Sequence, residues 1–166
     1  MLGQIVEEAS EGLNRYAIVL TRDRVEAQDL VQGTCVRAIE AIGSLRQNTN
    51  VRGWLFTILR NIWFNQLRRR RVAAKVAELD MEEAPANGFG ASEDPHSTYV
   101  SKVERQHVRE AIQQLPLEFR EVVLLRQYED LSYENIANVL GCPRGTVMSR
   151  LARARSKLRS LLSGKG

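Results

Sequence analysis

Leu131-Ser132-Tyr133-Glu134-Asn135-Ile136-Ala137-Asn138-Val139-Leu140-Gly141-Cys142-Pro143-Arg144-Gly145-Thr146-Val147-Met148-Ser149-Arg150-Leu151 is the stretch on which the reading of this chain turns. Ser132 stands where a helix N-cap belongs, since its hydroxyl can accept a backbone N–H that the first helical turn leaves over. Gly141 can close that helix, and Pro143 sits where a second helix begins. Ile136, Ala137 and Leu140 give the first helix one apolar face. Val147, Leu151, Ala154 and Leu158 recur at steps of four, three and four, which is the apolar face of the second. Ser149, Arg150, Arg153 and Lys157 fall along its other side. Helix pairs of this shape also serve as plain packing units, but a basic second helix after a glycine turn fits a DNA major groove.

Charge is segregated along the chain, and this separates the two readings. The net charge is only +4. Residues 1–40 hold four Lys/Arg and seven Asp/Glu, whereas residues 41–77 hold eight basic residues and no acid. Residues 78–101 carry six acids and no Lys or Arg, and residues 102–134 are near balance with five basic and seven acidic. Residues 135–166 then carry seven basic residues and again no acid. An ordinary solvated surface mixes its signs. Two acid-free blocks divided by an acidic spacer point instead to two nucleic-acid contacts on one chain.

A chain of 166 residues holds one average domain or two small ones. Nothing approaches the ~20 apolar residues of a membrane span, and the start lacks a basic segment followed by an apolar one, so a cytoplasmic location without membrane insertion is expected. Cys35 and Cys142 are far apart, form no CxxC and have no neighbouring histidines, which predicts two reduced thiols and no metal site. His96 and His107 have no visible nucleophile or ligand partner. There is no P-loop, dinucleotide turn or triad, so no enzymatic activity and no cofactor are expected.

Hydrophobic spacing predicts helices throughout. Ile5, Leu13, Tyr16, Ala17 and Leu20 mark a helix over 5–20, broken at Thr21-Arg22-Asp23. Ala27, Leu30, Val31, Thr34, Ala38 and Ile42 form the stripe of a second helix over 25–42. Residues 43–50 read as a loop, and a third helix over 51–77 carries Trp54, Leu55, Ile58, Leu59 and Ile62 ahead of Arg68 to Arg71. Pro85, Gly88, Gly90 and Pro95 mark a flexible acidic linker. Helices resume near Tyr99, break at Pro116 and continue over 117–127 into the helix-turn-helix. The expected fold is all-α, with two small helical domains at 1–78 and 99–166 joined by the linker 79–98.

Four motifs occur in order: Asp29-Leu30-Val31-Gln32; Trp54-Leu55-Phe56-Thr57-Ile58-Leu59-Arg60-Asn61; Leu131-Ser132-Tyr133-Glu134; and Gly145-Thr146-Val147-Met148-Ser149-Arg150-Leu151 with Ala154-Arg155. With them the chain resembles, over nearly its whole length, the extracytoplasmic-function (group 4) sigma factors of bacterial RNA polymerase. The last motif is similar to that of the alphaproteobacterial general-stress members. The resemblance implies a sigma-2-like domain and a sigma-4-like helix-turn-helix domain that bind core polymerase, recognise the −10 and −35 promoter elements and promote transcription initiation. It also implies an anti-sigma factor as a partner.

Residue by residue, the resemblance places Asp29, Leu30, Gln32 and Thr34 against core polymerase, with Arg37 as a further interface member. It places Gln47, Asn48, Asn50, Trp54, Arg60, Asn61, Arg68 and Arg69 at the −10 element, and Arg144, Thr146, Met148, Ser149, Ala152 and Arg153 at the −35 element. The chemistry agrees with this. Amides read base edges, aromatic faces hold unstacked bases, and Arg60 and Arg68 to Arg71 can hold phosphates. Of Trp54, Phe56, Trp63 and Phe64, most are expected in the core, with one or two left to face DNA. Two features depart from the family pattern: Asn65 stands where an Asp is usual, and Met148 where many relatives carry a polar or basic residue. A tether of about two dozen residues reaches roughly 80 Å extended, enough for two elements roughly 70 Å apart. The competing reading is a stand-alone helix-turn-helix regulator, which would not need the acid-free aromatic and arginine helix of the first domain. A third reading, a decoy that mimics a sigma factor, would need a receiver domain that this sequence does not contain.

Overall fold

The computed structural model describes residues 2–77 and 99–163. The expected linker 79–98 therefore lies outside the described residues. These residues form seven α-helices with no strand among them, and the chain divides into two compact units, the first built on α1–α3 and the second largely on α4–α7.

In the first unit, α1 (Leu2–Thr21) buries Ala9, Leu13, Tyr16, Ala17 and Leu20 on one side and leaves Glu7, Glu8 and Glu11 in solvent. The predicted break is a sharp one. Arg22 takes a positive φ of 56°, and Asp23 turns extended to cap α2 (Arg24–Ala41), accepting from the N–H groups of Val25 and Glu26 at 2.9 and 3.4 Å. Helix α2 buries Ala27, Leu30, Thr34 and Ala38. Ile42, expected to extend that stripe, is exposed, because the chain leaves the α-helix there for a 3₁₀ turn at Ile42–Ser44. Asn50 then starts α3 (Val51–Ala77), its side-chain oxygen accepting from Gly53 N–H at 2.9 Å. Leu55, Phe56, Leu59 and Trp63 close the core, with the Phe56 ring tilted against Tyr16 at 5.7 Å between centroids. After Trp63 no residue up to Val76 is buried. The last turns of α3 are a solvated basic extension.

The second unit opens with α4 (Tyr99–Gln113), and Pro116 precedes α5 (Leu117–Val123), as its fixed φ favours. What the sequence predicts as plain helix over 117–127 widens into a π-helical turn at Leu124–Tyr128, where Glu129 N–H reaches back to the Leu124 carbonyl at 3.1 Å. Leu124 and Leu125 are buried in it, and Arg126 donates to the Leu131 carbonyl at 2.9 Å. Ser132 caps α6 (Tyr133–Leu140) through Asn135 N–H at 3.1 Å. Gly141 takes φ 64°, and its N–H donates to the Ala137 carbonyl. Helix α7 (Arg144–Ser163) then packs Val147, Leu151 and Ala154 inward. The caps and the apolar faces of the predicted helix-turn-helix are all in place. Ile136, Ala137 and Leu140 are buried, and Leu158 is half-buried at the far end of its stripe.

Candidate nucleic-acid interface

The helical repeat of α3 gathers Arg60, Asn61, Phe64, Asn65, Arg68 and Arg71 on one side, and Arg37 of α2 joins them around a cavity of about 500 Å³. The Arg60 guanidinium lies 4.5 Å from the centre of the Phe64 ring. Because residues 41–77 contain no acid, this cavity combines cations, amides and an aromatic face with no carboxylate from its own helix. That set suits a phosphodiester strand with unstacked bases. Of the predicted −10 residues, Arg60, Asn61 and Arg68 meet here, whereas Arg69 lies on a neighbouring apolar surface with Val72 and Val76, which Arg68 also borders. Phe64 and Arg71, which sequence reading held as a candidate ring and a phosphate contact without placing them in its −10 set, join Arg60, Asn61 and Arg68. So do Asn65, noted from sequence only as a departure from the family pattern, and Arg37, assigned to the polymerase side.

The four-arginine run is not uniform. Arg70 turns away from the cavity, pairs with Glu26 of α2 and lies over the Trp63 ring at 5.4 Å. It ties α3 to α2 instead of offering a charge to a ligand. In the preceding loop, Gln47 and Asn48 are exposed, with Asn48 at a positive φ of 70°. Asn50, expected to read a base, has its side-chain oxygen engaged in capping α3. Of the four aromatics, Phe56 and Trp63 are core, and Trp54 and Phe64 are half-exposed, so half of them are core where most were expected to be.

On α2 the residues expected at core polymerase divide. Leu30 is 2 % exposed and Thr34 0 %, with the Thr34 hydroxyl donating to the Leu30 carbonyl at 2.8 Å, so both pack into the core of this unit. Asp29 and Gln32 do face solvent. In line with them run Val25 (67 % exposed), Val36 and Ile39 (64 %), at steps of four, three, four and three along 25, 29, 32, 36 and 39. This outward apolar stripe was present in the sequence as a second helical periodicity, hidden behind the stronger inward one.

On α7, Arg144, Met148, Ser149, Ala152 and Arg153 are exposed opposite the buried face, with Met148 at 50 %. Thr146 is half-buried, and its N–H donates to the Pro143 carbonyl at 3.0 Å. Arg150, grouped with the basic side on sequence grounds, instead approaches Glu118 of α5 at 3.8 Å. It lies about 100° around the helix from Ser149, which turns it from the groove side toward the domain. At the start of the pair, the guanidiniums of Arg126 and Arg144 lie over the Tyr133 ring, 4.7 and 6.0 Å from its centre. Among the described residues, no group of three or more His, Cys, Asp or Glu could hold a metal, and no helix is long and apolar enough to cross a membrane.

Two helical units, each presenting an acid-free polar face, are the architecture of a two-part DNA reader, and comparison with known proteins gives that class a family. Sigma-70 region 2 matches residues 5–72 and Sigma-70 region 4 matches residues 105–158. The chain is 37 % identical to the ECF RNA polymerase sigma factor EcfG of Rhodopseudomonas palustris (strain TIE-1) over 93 % of its own length and 81 % of that protein's. Its fold matches the sigma factor RpoE of Bartonella quintana, solved in complex with the anti-sigma factor NepR, with a TM-score of 0.74 and 30 % identity over 97 % of this chain and 96 % of that one. It also matches CnrH, solved with the cytosolic domain of CnrY, with a TM-score of 0.68 and 26 % identity over 99 % of this chain and 89 % of that one. The chain belongs to the extracytoplasmic-function sigma factors of RNA polymerase. It is a non-enzymatic subunit that directs promoter recognition and transcription initiation; bond formation belongs to the polymerase.

Proposed function

We propose that the cavity on α3 receives the unpaired strand of the −10 element while the exposed side of α7 reads the −35 element in the major groove. The observation that carries this reading is the grouping of Arg60, Asn61, Phe64, Asn65, Arg68 and Arg71 on one helix face, cations and amides around an aromatic ring. Gln47, Asn48 and Trp54 extend that contact toward the loop. On α7, Arg144 and Arg153 can take guanine edges bidentately, and Met148 and Ala152 can meet thymine methyl groups. The outward stripe of α2, Val25, Asp29, Gln32, Val36 and Ile39, docks on core polymerase, because exposed apolar residues rimmed by polar ones favour a protein partner.

Residues 1–78, 79–98 and 99–166 serve as the −10 domain, the tether and the −35 domain of a cytoplasmic regulator of the general-stress type. The complex of RpoE with NepR supports an anti-sigma partner for this chain as well. Run-off transcription with core polymerase on a pool of promoter fragments tests the reading. Transcripts that require the protein and share a two-part motif are expected. Polymerase-independent DNA binding with no such transcripts would overturn it.

A further inference from the structure

Tyr133 opens α6, Arg144 opens α7, and Arg126 lies in the π-helical turn before them, yet all three meet at one aromatic ring. Arg126 is half-buried and held by its hydrogen bond to the Leu131 carbonyl, so its guanidinium anchors the ring from the domain side. Arg144 is exposed, and its guanidinium lies 6.0 Å from the centre of the ring. A guanidinium lying over an aromatic face keeps its planar N–H fork available at the edge, whereas a freely rotating one must first be ordered before it can grip a base.

We infer that Tyr133 is a positioning residue for Arg144: its ring holds the guanidinium in the orientation that meets a −35 base pair, and so sets part of the promoter specificity without touching a base. The inference rests on the reading of α7 as the −35 helix. It differs from the plain alternative, in which the Tyr133 hydroxyl simply grips a phosphate.

Reconstituted holoenzyme bearing Tyr133→Phe, Tyr133→Leu, Arg144→Lys, Arg144→Ala or the Leu/Ala double substitution is assayed on promoters altered one −35 base pair at a time. Arg144→Ala should lose about tenfold discrimination at one base pair, the scale of a single bidentate base contact. Tyr133→Leu should lose roughly two- to fivefold at that same base pair, the fold-change of an exposed cation–π contact, and Arg144→Lys, which keeps a cation but not the planar fork, should lose up to about the tenfold of Arg144→Ala. Tyr133→Phe, which keeps the ring, should match the parent, and the double variant should be no worse than Arg144→Ala. Arg144→Lys alters an exposed side chain, so it remains informative even if Tyr133→Leu unfolds. A uniform loss on every sequence with Tyr133→Phe would overturn the inference in favour of a phosphate contact. Additive losses in the double variant, or unchanged discrimination in Arg144→Lys, would also overturn it. If Arg144→Ala itself leaves −35 preference intact, the reading of Arg144 fails first and the inference falls with it.

Discussion

Arg68, Arg70 and Arg71 are nearly adjacent in sequence, yet the structure gives them different work, and replacing each by alanine should separate them cleanly. Arg68 and Arg71 line the cavity on α3, while Arg70 pairs with Glu26 and lies over Trp63. Each phosphate neutralised on a single strand contributes about 0.7 to the slope of log affinity against log salt, and about 0.9 on a duplex. Raising salt fourfold, from roughly 50 to 200 mM, should therefore weaken the Arg68→Ala and Arg71→Ala holoenzymes about threefold less than the parent. The Arg70→Ala variant should keep the parental slope. Its Glu26 pair is largely solvated, so the loss should appear as about 0.5–1 kcal/mol of stability, a shift of a few degrees in the melting of a domain this size. Fluorescence-anisotropy titrations of holoenzyme on labelled promoter DNA measure the slopes, and thermal denaturation measures the rest. The assignment of the run fails if Arg70→Ala flattens the salt slope as much as its neighbours do, or if neither neighbour changes it.

Three further outcomes are expected. Arg153→Ala should relax −35 selection by about 1–3 kcal/mol at one base, whereas Arg150→Ala, which loses only its approach to Glu118, should leave the selected sequence unchanged; selection of binding sites from a randomised −35 pool distinguishes them. Gly141→Ala should cost about 1–2 kcal/mol of stability by thermal denaturation, all of it from the backbone, since the position has φ +64° and an added Cβ meets nothing within 4 Å. Burial raises the Cys35 thiol above its ordinary range, so less of it is thiolate at any given pH. Its alkylation by iodoacetamide near pH 8 should be slower than that of a small free thiol, and the rate should keep climbing at pH values where the small thiol has levelled off.

Helix boundaries and the helix-turn-helix were legible because they rest on local chemistry. Ser132, Gly141 and Pro143 act through their own backbone neighbours, so the sequence states their roles directly, and the break at Thr21-Arg22-Asp23 was read even though the Asp23 cap was not. The inward stripes were equally legible, since burial follows period. The candidate site was only half legible. Leu30 and Thr34 were read both as part of the apolar stripe of α2 and, by resemblance, as polymerase contacts, because a motif fixes a helix but not which of its sides meets a partner. Arg70 and Arg150 were assigned to ligands because they are basic, and only the packing of α2 and α5 brings Glu26 and Glu118 to them. The ring of Tyr133 gave no sign of its two cations, because Arg126 reaches it through a π-helical turn that a 3.6-residue period does not foresee.

The cavity residues of the first unit nearly all come from a single unbroken helix, and that makes the site tolerant of some changes and brittle to others. Along α3 the span from Arg60 to Arg71 covers about 16 Å, with every partner held at fixed pitch by the same backbone. Exchanging one side chain for another alters a contact and leaves the spacing alone. Adding or deleting one residue between Phe64 and Arg68 would swing the distal arginines by about 100° and carry them off the face that Asn61 and Phe64 occupy. Variation in promoter preference can therefore accumulate by point substitution, while changes of length in this helix would disconnect one half of the site from the other.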